Sequence, residues 1–352
     1  REGVRGSRHD HTAGLLTELT GAEAALVVNN NAGAMLLALD TLAKGKEVIV
    51  SRGELVEIGG SFRVPEVIAC SGCALVEVGA TNKTRIADVE RAIDSEKTGA
   101  LLKVHTSNFR IEGFTQAVSL AELTALGQKY GLPVIHDLGS GCLLSPWPGL
   151  DEPTVSESVR AGADAICFSG DKLLGGPQSG IILGRRDYIA RMRNNPLVRA
   201  LRVDKLTLAA LEATLRLYWD PERARREIPV LAMLFAERKS LRAKARRLKR
   251  LLDKTPAGAF CALADTEGQV GGGAMPGQTL PSAAVAVTAT DSISLTALEE
   301  YLRRWETPII ARVSRERLLL DVLAVAEKDF PLVAACLAAA FASALAKEGD
   351  KL

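Results

Sequence analysis

The chain has 352 residues, of which 47% are hydrophobic and 24% are charged, and its formal net charge is +2. These values are ordinary for a soluble globular protein, and the length allows a large domain together with a smaller one. A net charge this small does not by itself imply a nucleic-acid partner, so any basic binding surface has to be local.

The six cysteines are scattered along the chain, which fits a reducing cytosol and argues against a disulfide framework. Cys70 and Cys73 form a lone C-x-x-C motif without a second ligand pair nearby, so two ordinary thiols are favoured over a metal site. The sequence shows no signal peptide and no apolar run of membrane-spanning length. We therefore expect a cytoplasmic protein that contacts no membrane and binds no metal.

Short β-rich runs punctuate the first half of the chain and predict its sheet. Most are continuous apolar runs, which are typical of strands covered on both faces, as in a parallel sheet. Helical stretches between most of them favour a doubly wound α/β domain. The seven runs occupy residues 24–29, 47–51, 74–78, 100–104, 132–137, 164–169 and 180–184. The last two are joined by a loop too short for a helical crossover, so we predict that this pair is antiparallel.

From about residue 205 the pattern changes to that of a small α+β domain. Its predicted helices are "KLTLAALEATLRLYW", the strongly basic "RKSLRAKARRLKRLLDK", "LTALEEYLRRW" and "PLVAACLAAAFASALA". Its predicted strands are "SAAVAVTAT", "PIIARV" and "RLLLDVL". The glycine-rich "EGQVGGGAMPG" (267–277) is not a strand-to-helix turn, so it predicts a mobile loop of this domain rather than a nucleotide site. We divide the chain into an N-terminal segment (1–20), a large domain (21–220) and a small domain (221–352).

Polar residues follow several predicted strands at their carboxyl ends, which is where open α/β sheets bind ligands. The first strand runs into Asn29, Asn30 and Asn31, and three asparagines before a helix favour anion binding over simple N-capping. His105 follows the fourth strand, where a structural histidine is the more frequent outcome. Asp137 ends the fifth strand, where it is compatible both with pairing to a cationic heterocycle and with a turn role.

The sixth strand delivers Lys172 into the tight, glycine-rich turn "SGDKLLGGPQSG" (169–180). Apolar walls and backbone dipoles destabilise an ammonium group, which makes imine formation by this lysine easier. An anion cradle, a carboxylate and a lysine, each at a strand end, are the parts that pyridoxal 5'-phosphate requires. We therefore predict a pyridoxal phosphate site in which Lys172 forms the Schiff base and Asp137 serves the ring nitrogen.

Several longer stretches carry a resemblance to one family. They are "VVNNNAGAMLLAL", "GKEVIVSRGELVEIGGSFRVP", "LLKVHTSNFRIEGFT", "DLGSGCL", "FSGDKLLGGPQSGIILG" and "PLVRALRVDKLTLAALEATLRLY". These stretches closely resemble the bacterial selenocysteine synthase family, L-seryl-tRNA(Sec) selenium transferase. The likeness runs from "REGVRGSRHDH" to about residue 220 without a large gap, and more loosely through "LPSAAVAV" and "TPIIARVSRERLLLDV".

The resemblance implies a fold-type-I pyridoxal phosphate enzyme that makes selenocysteinyl-tRNA(Sec) from seryl-tRNA(Sec). The implied reaction passes through a dehydroalanyl intermediate and uses selenophosphate as the selenium donor. Lys172 would bind the cofactor and take the Cα proton, while Asp137 would keep the pyridinium ring protonated. His105, in the matching "KVHTSN", would stack on the ring. The other residues of the implied cofactor site are Asn30, Asn31, Ala32 and Ser169.

The resemblance also implies that arginines bind the selenophosphate anion. Arg199 and Arg202 in "RALR" fall on the family's anion-binding motif, although solvated surface charge is the usual role of such residues. Arg5 and Arg8 lie in a segment that contributes to the family's active site across a subunit boundary. The basic helix at 238–250 could contact tRNA phosphates, with a solvated amphipathic helix as the alternative.

The family assembles as a homo-oligomer, a ring of dimers that is typically a decamer, and carries an N-terminal helical domain that recognises its tRNA. This chain begins at Arg1, so we expect that domain to be absent and specific tRNA(Sec) recognition to be impaired. A rival interpretation is a related pyridoxal phosphate lyase acting on a small phosphorylated amino acid, which would share Lys172, Asp137 and the asparagines. A non-catalytic tRNA-binding protein is another, and the intact Lys172 argues against it.

Overall fold

The structure is a computed structural model, and it describes residues 8–59, 62–145 and 150–349. The described residues form two compact units. The first comprises those up to Ala232 together with Val270–Gln278, and the second comprises Met233–Gln269 and those from Thr279 onward. None of the helices in these residues is both long enough and apolar enough to cross a membrane.

The first unit is built on a mostly parallel sheet of seven strands. The strands of the whole unit are β1 (Ala24–Val28), β2 (Glu47–Ser51), β3 (Glu57–Ile58), β4 (Phe62–Arg63), β5 (Ala74–Val78), β6 (Thr98–Val104), β7 (Val134–Gly139), β8 (Ala165–Ser169) and β9 (Gly180–Gly184). The strands β3 and β4 form a separate antiparallel pair, and the others have the order β1-β9-β8-β7-β6-β2-β5. All seven predicted runs are strands of this sheet, and the antiparallel pairing of β8 with β9 is confirmed. The strand β9 also pairs antiparallel with β1.

Helices alternate with these strands along the chain and continue beyond the last of them. They are α1 (Asp10–Thr20), α2 (Asn31–Ala43), α3 (Val64–Cys70), α4 (Ile86–Ala92), α5 (Leu120–Tyr130), α6 (Val155–Arg160), α7 (Arg186–Arg193), α8 (Leu197–Ala200), α9 (Lys205–Leu217), α10 (Pro221–Glu227) and α11 (Pro229–Leu234). Local signals set their ends: at α5, Ser119 and Glu122 form a capping box, and Gly131 closes the helix with a φ of 66°. The strands β8 and β9 are buried along their whole length, as their continuous apolar runs predict.

The second unit is a small antiparallel sheet with helices packed on it. Its elements are α12 (Arg238–Leu252), β10 (Cys261–Gln269), β11 (Thr279–Val287), α13 (Leu295–Arg303), β12 (Arg312–Ser314), β13 (Arg317–Asp321) and α14 (Phe330–Gly349). The strand order is β10-β11-β13-β12, and Leu248, Val285 and Phe341 belong to the core. This is the predicted small α+β architecture with three differences. The predicted helix "KLTLAALEATLRLYW" is α9 of the first unit. The strand β10 is additional, and only the last two residues of "PIIARV" are in a strand.

The units divide later in the chain than the boundary drawn after residue 220. Ile228 and Val230 lie against Gly175, where an added Cβ would come within 2.3 Å of Ile228. This close packing keeps the segment that follows α10 with the large domain. The glycine-rich stretch Val270–Gln278 also belongs to the first unit by its contacts, and not to the small domain to which the sequence assigns it.

Candidate active site

A cavity of about 210 Å³ lies at the carboxyl ends of β7 and β8, beside the first turn of α2. Its lining includes every residue predicted to bind the cofactor, namely Asn30, Asn31, Ala32, His105, Asp137, Ser169 and Lys172. Ile58 and Phe62 add apolar surface to the same cavity. Residues that are far apart in the sequence therefore share one cavity, at the sheet edge where the strand-end argument expects it.

A larger cavity, of about 460 Å³, shares His105 with the first. Several of its charged and polar side chains are engaged with one another. Lys103 donates a hydrogen bond to the carboxylate of Glu54. Nδ1 of the buried His136 lies 3.1 Å from Oγ of Ser158, and burial lowers the pKa of this imidazole to about 3. The smaller cavity is the better candidate site, because it holds Oδ1 of Asn31, which is buried without a hydrogen-bond partner among the described residues.

The N-terminus of α2 forms one wall of the smaller cavity. Asn30 is the N-cap, and its Oδ1 accepts a 2.8 Å hydrogen bond from the amide of Gly33. The amides of Asn31 and Ala32 belong to the first turn, which has no intrahelical acceptors, so they are available to an anion. The strand β9 approaches closely here, since a Cβ added to Gly180 would lie 2.0 Å from the Asn30 carbonyl oxygen. Asn30 therefore caps the helix while its neighbours present donors to the cavity.

Asp137 is a buried carboxylate near the end of β7. Its Oδ1 accepts a 2.9 Å hydrogen bond from Nδ2 of Asn31. Oδ1 of Asn31 is buried without a hydrogen-bond partner among the residues that the structure describes. Burial raises the pKa of Asp137 to about 6, although the hydrogen bond from Asn31 and the nearby His105 lower it. A carboxyl group in this setting gains most from a cationic neighbour.

Lys172 stands in the turn that follows β8, and backbone hydrogen bonds fix this turn. The amide of Gly170 donates to the carbonyl of Ser179 at 2.9 Å, and the amide of Gly176 donates to the carbonyl of Gly170 at 2.8 Å. The half-buried side chain of Lys172 lines the cavity, and the buried Ser169 lines it as the last residue of β8. The turn thus presents an amine to the cavity that also holds the buried carboxylate.

His105 follows β6 and lies close to both Asp137 and Glu152. Its amide donates a 2.8 Å hydrogen bond to the carbonyl of Asp137, which ties the end of β6 to β7. Its Nε2 lies 3.3 Å from Oε1 of Glu152, without the alignment of a hydrogen bond. The Glu152 side chain is fully buried, yet nothing in "LDEPTV" marks it in the sequence. Glu152 is therefore a residue near the site that sequence reasoning missed.

Two of the predicted anion-binding arginines lie outside the cavity lining. Arg199 in α8 and Arg202 just after it are exposed, and neither lines the cavity. The carbonyl of Leu201, between them, accepts a 3.0 Å hydrogen bond from the amide of Asn29. The arginine-bearing segment is thus attached to the residues that lead into α2.

Of the two N-terminal arginines, Arg8 lies beside the same segment. Its Nη1 donates a 3.3 Å hydrogen bond to the carbonyl of Val203, which follows Arg202. Arg5 lies outside the described residues. The structure therefore places Arg8 next to the arginine-bearing segment, and not in the lining of the cavity.

The groups in the cavity fit pyridoxal phosphate, the cofactor predicted from the sequence. A helix N-terminus with available amides suits the phosphate, and a lysine suits the aldehyde. A buried carboxylate with a raised pKa suits a ring nitrogen that carries a proton. Oδ1 of Asn31, which has no hydrogen-bond partner in the described part of the chain, gives the same wall a further acceptor. Each part of the cofactor thus finds a group of matching chemistry.

Comparison with known proteins identifies relatives of the whole chain. A family model described as SelA, L-seryl-tRNA selenium transferase, matches residues 1–326. The curated L-seryl-tRNA(Sec) selenium transferase of Solidesulfovibrio magneticus is 57% identical over 344 residues, which cover 96% of this chain and 73% of that protein. The corresponding protein of Geobacter metallireducens is 55% identical over 339 residues, again 96% of this chain and 73% of the relative. The resemblance inferred from the motifs is confirmed.

The fold is shared with a solved structure of D-glucosaminate-6-phosphate ammonia-lyase. The superposition covers 97% of this chain and 89% of that chain, with a TM-score of 0.69 and 23% sequence identity, so the likeness concerns the fold alone. The predicted class, an α/β fold-type-I architecture with a mostly parallel seven-stranded sheet and a small C-terminal α+β region, is confirmed. With the family match, the conclusion is that the chain belongs to the L-seryl-tRNA selenium transferase family.

Proposed function

We propose that this chain converts seryl-tRNA(Sec) to selenocysteinyl-tRNA(Sec), with pyridoxal 5'-phosphate as cofactor and selenophosphate as selenium donor. The observation that carries the proposal is the cavity in which Lys172, Asp137 and the N-terminus of α2 meet. The chain also belongs to a family whose curated members are named for this transfer of selenium, at up to 57% identity among those compared. The cofactor chemistry and the family point to the same reaction.

Five groups would hold the cofactor in this proposal. Lys172 would bind its aldehyde carbon covalently, and the amides of Asn31 and Ala32, together with Ser169, would bind its phosphate. Asp137 accepts the hydrogen bond of the ring nitrogen, and Asn31 keeps this carboxylate in place through their 2.9 Å hydrogen bond. When bound, pyridoxal phosphate supplies an electron-withdrawing ring for breaking bonds at the serine Cα.

The proposed proton transfers use the same side chains. Lys172 would be the general base for the Cα proton, because its amine lines the cavity that would hold the cofactor. Asp137 stays ionised beside the cationic ring, since the ring charge offsets the burial that raises its pKa in the free chain. His105 would contact the ring, and its backbone hydrogen bond to the Asp137 carbonyl holds it in place.

Arg199 and Arg202 are the proposed ligands of selenophosphate, with Arg5 and Arg8 as the N-terminal contribution. Arg199 and Arg202 are exposed and lie outside the cavity lining of a single chain. We therefore propose that a neighbouring subunit completes the site. A cytoplasmic homo-oligomer, built as a ring of dimers that forms a decamer, would supply such a neighbour.

Covalent mapping tests the cofactor site directly. Protein incubated with pyridoxal phosphate is reduced with borohydride and digested, and the modified peptide is identified by mass spectrometry. We expect the adduct on the peptide that contains Lys172, its loss in Lys172→Ala, and its retention in Lys205→Ala, which changes an exposed lysine outside the cavity. No adduct, or an adduct on another lysine, would show that the cofactor assignment is wrong.

A product assay tests the reaction. The chain is incubated with seryl-tRNA(Sec) and selenophosphate, and the amino acid is then released from the tRNA and identified. We expect selenocysteine. Turnover of a small phosphorylated amino acid, without any selenocysteinyl product, would instead support the lyase interpretation.

A further inference from the structure

The glycine-rich loop (Val270–Gln278) lies against the lysine of the proposed site. Gly273 is buried and has a φ of 97°. A Cβ added there would lie 3.0 Å from Cε and 3.3 Å from Nζ of Lys172. A larger residue at this position would have to displace the lysine. The loop therefore forms a wall against the Lys172 side chain, although the sequence assigns it no role.

Residues Asp151 and Glu152 hold this loop in place. Asp151 and Gln278 exchange two hydrogen bonds of 2.7 Å, one from the Asp151 amide to Oε1 and one from Nε2 to the Asp151 carbonyl. Oε2 of Glu152 accepts a 3.1 Å hydrogen bond from the amide of Met275. Met275 is buried with a φ of 51°, which is unfavourable for a residue with a Cβ. Contacts such as these are needed to maintain that backbone conformation.

The second carboxylate oxygen of Glu152 points to His105. Oε1 of Glu152 and Nε2 of His105 are 3.3 Å apart, and both are buried without a hydrogen-bond partner within the described residues. A fully buried carboxylate oxygen without a donor is costly. A small rotation of the imidazole would align an Nε2–H with this oxygen, and Nδ1 would then carry the acceptor lone pair. The carboxylate is thus able to select both the orientation and the tautomer of the ring.

We propose that Glu152 is a positioning residue for the cofactor site. One carboxylate oxygen fixes the ring of His105, and the other holds the glycine-rich loop against Lys172. The inference rests on the proposed function, in which His105 and Lys172 contact the cofactor. It goes further, because one buried carboxylate then determines both the conformation of the glycine-rich loop and the orientation of the His105 ring.

Two measurements on the full chain separate these roles. Hydrogen exchange with mass spectrometry reports on the loop, and visible circular dichroism reports on the orientation of lysine-bound pyridoxal phosphate. Glu152→Ala removes both contacts, whereas Glu152→Gln keeps an oxygen for the Met275 amide and loses the carboxylate that faces His105. Asp151→Ala is the matched control, because its side chain is 89% exposed and its hydrogen bonds to Gln278 use backbone atoms.

We expect Glu152→Ala to speed exchange at Met275 by about tenfold and to weaken the cofactor band, while Asp151→Ala leaves both unchanged. Glu152→Gln should leave loop exchange near that of the wild type and alter only the band. Gln278→Ala should speed exchange at the end of the loop without altering the band. If both Glu152 variants match Asp151→Ala in both measurements, the proposal is wrong.

Two further outcomes also test the proposal. If Glu152→Ala fails to fold, Glu152→Gln takes its place: an unchanged band overturns the proposal, and an altered band with normal loop exchange supports it. If the wild type forms no adduct at Lys172, the proposed function fails. Loop exchange in the cofactor-free protein then still tests the contact with Met275, through Glu152→Ala against Asp151→Ala.

Discussion

The cavity beside Lys172 and the basic helix α12 carry their charges in opposite ways. The cavity holds few charged groups, but Asp137 is buried and the Oδ1 of Asn31 has no partner among the residues described. Eight lysines and arginines lie between residues 238 and 250, on α12. Several of them are paired at the surface, including Arg242 with Asp265, Arg247 with Glu327 and Lys249 with Asp253.

The difference shows which kind of charge indicates function. Exposed ion pairs contribute little free energy and form on most protein surfaces. A buried polar group without a partner costs free energy, so it persists where a ligand or the chemistry requires it. If the density of charged residues in the sequence indicated the functional site, the site would be α12. The buried polar groups that lack hydrogen-bond partners among the described residues instead indicate the cavity. Variants of the two regions should therefore differ in the size of their effects.

The largest effect is expected from Lys172→Ala. The variant lacks the amine that binds the cofactor and takes the Cα proton, so selenocysteinyl-tRNA formation should fall by at least about 10³-fold. Lys172→Arg keeps the charge and should be equally inactive. Single-turnover assays with saturating seryl-tRNA measure this loss, with Lys205→Ala as control. A residual rate within tenfold of the wild type would remove the lysine from the mechanism.

A smaller effect is expected on the stability of cofactor-free Asp137→Asn. In the folded chain burial raises the pKa of Asp137 from 3.8 to about 6, so the folded state binds the proton more tightly than the unfolded state. Stability is therefore lost as pH rises from about 4 to 6, by on the order of 2–3 kcal/mol, and this loss persists at higher pH. The Asp137→Asn variant has no carboxyl group at this position, so it should not lose stability in this way as pH rises.

Urea denaturation of the cofactor-free protein at pH 4 and pH 8 measures this difference. Asp137→Asn should be more stable than the wild type at pH 8 and nearly equal to it at pH 4. Asp151→Asn, which changes an exposed carboxylate, should show no such divergence. Parallel pH profiles for Asp137→Asn and the wild type would mean that Asp137 titrates normally in the folded chain.

Arg199→Ala and Arg202→Ala should each weaken the use of selenophosphate by about tenfold, because each removes one charge-assisted contact to the anion. Absorbance of the lysine-bound cofactor should stay unchanged, since neither arginine lines the cavity. The dependence of rate on selenophosphate concentration measures the effect. Arg216→Ala is the control, because Arg216 pairs with Glu212 on the exposed side of α9. Full activity in both variants would exclude this anion site.

The smallest effect is expected from Arg242→Ala and Arg247→Ala on α12. Their surface ion pairs are worth little, so the Tm should change by no more than about 2 °C. Affinity for seryl-tRNA should change by less than about threefold, as filter binding at several salt concentrations would measure. A marked loss of affinity with a reduced salt slope would instead show that α12 binds phosphates. The contrast with the cavity would then no longer hold.

Much of the fold could be predicted because its strands are buried on both faces. The runs that became β8 and β9 are continuous and apolar, and the short loop between them fixes their antiparallel pairing. The strand β10 escaped prediction because it is an edge strand whose residues after Cys261 are mostly exposed, with Asp265 and Glu267 among them. In "PIIARV", Ile309 and Ala311 are buried without being in a strand, so an apolar pattern alone was misleading.

The cavity residues could be predicted because each stands at a strand end, where topology gathers distant residues. Only the order of the strands was needed to predict Lys172 and Asp137 as site residues. Glu152 could not be predicted, because it lies in a connecting segment. Its partners are the residue that follows β6 and a loop far along the chain. Its importance depends on which buried oxygen atoms lack donors, and sequence patterns do not contain that information.

The strand β1 lies at the edge of the sheet, and this position affects when the site can form during protein synthesis. The strand β1 ends at Val28, and its neighbour β9 begins at Gly180. On the ribosome, the asparagines that follow β1 emerge long before the strand that positions them, and the Lys172 turn emerges directly before that strand. We therefore expect both halves of the cofactor site to become ordered late in synthesis and together. A nascent chain that stops before Gly180 should carry the asparagines and the lysine, yet be unable to retain pyridoxal phosphate.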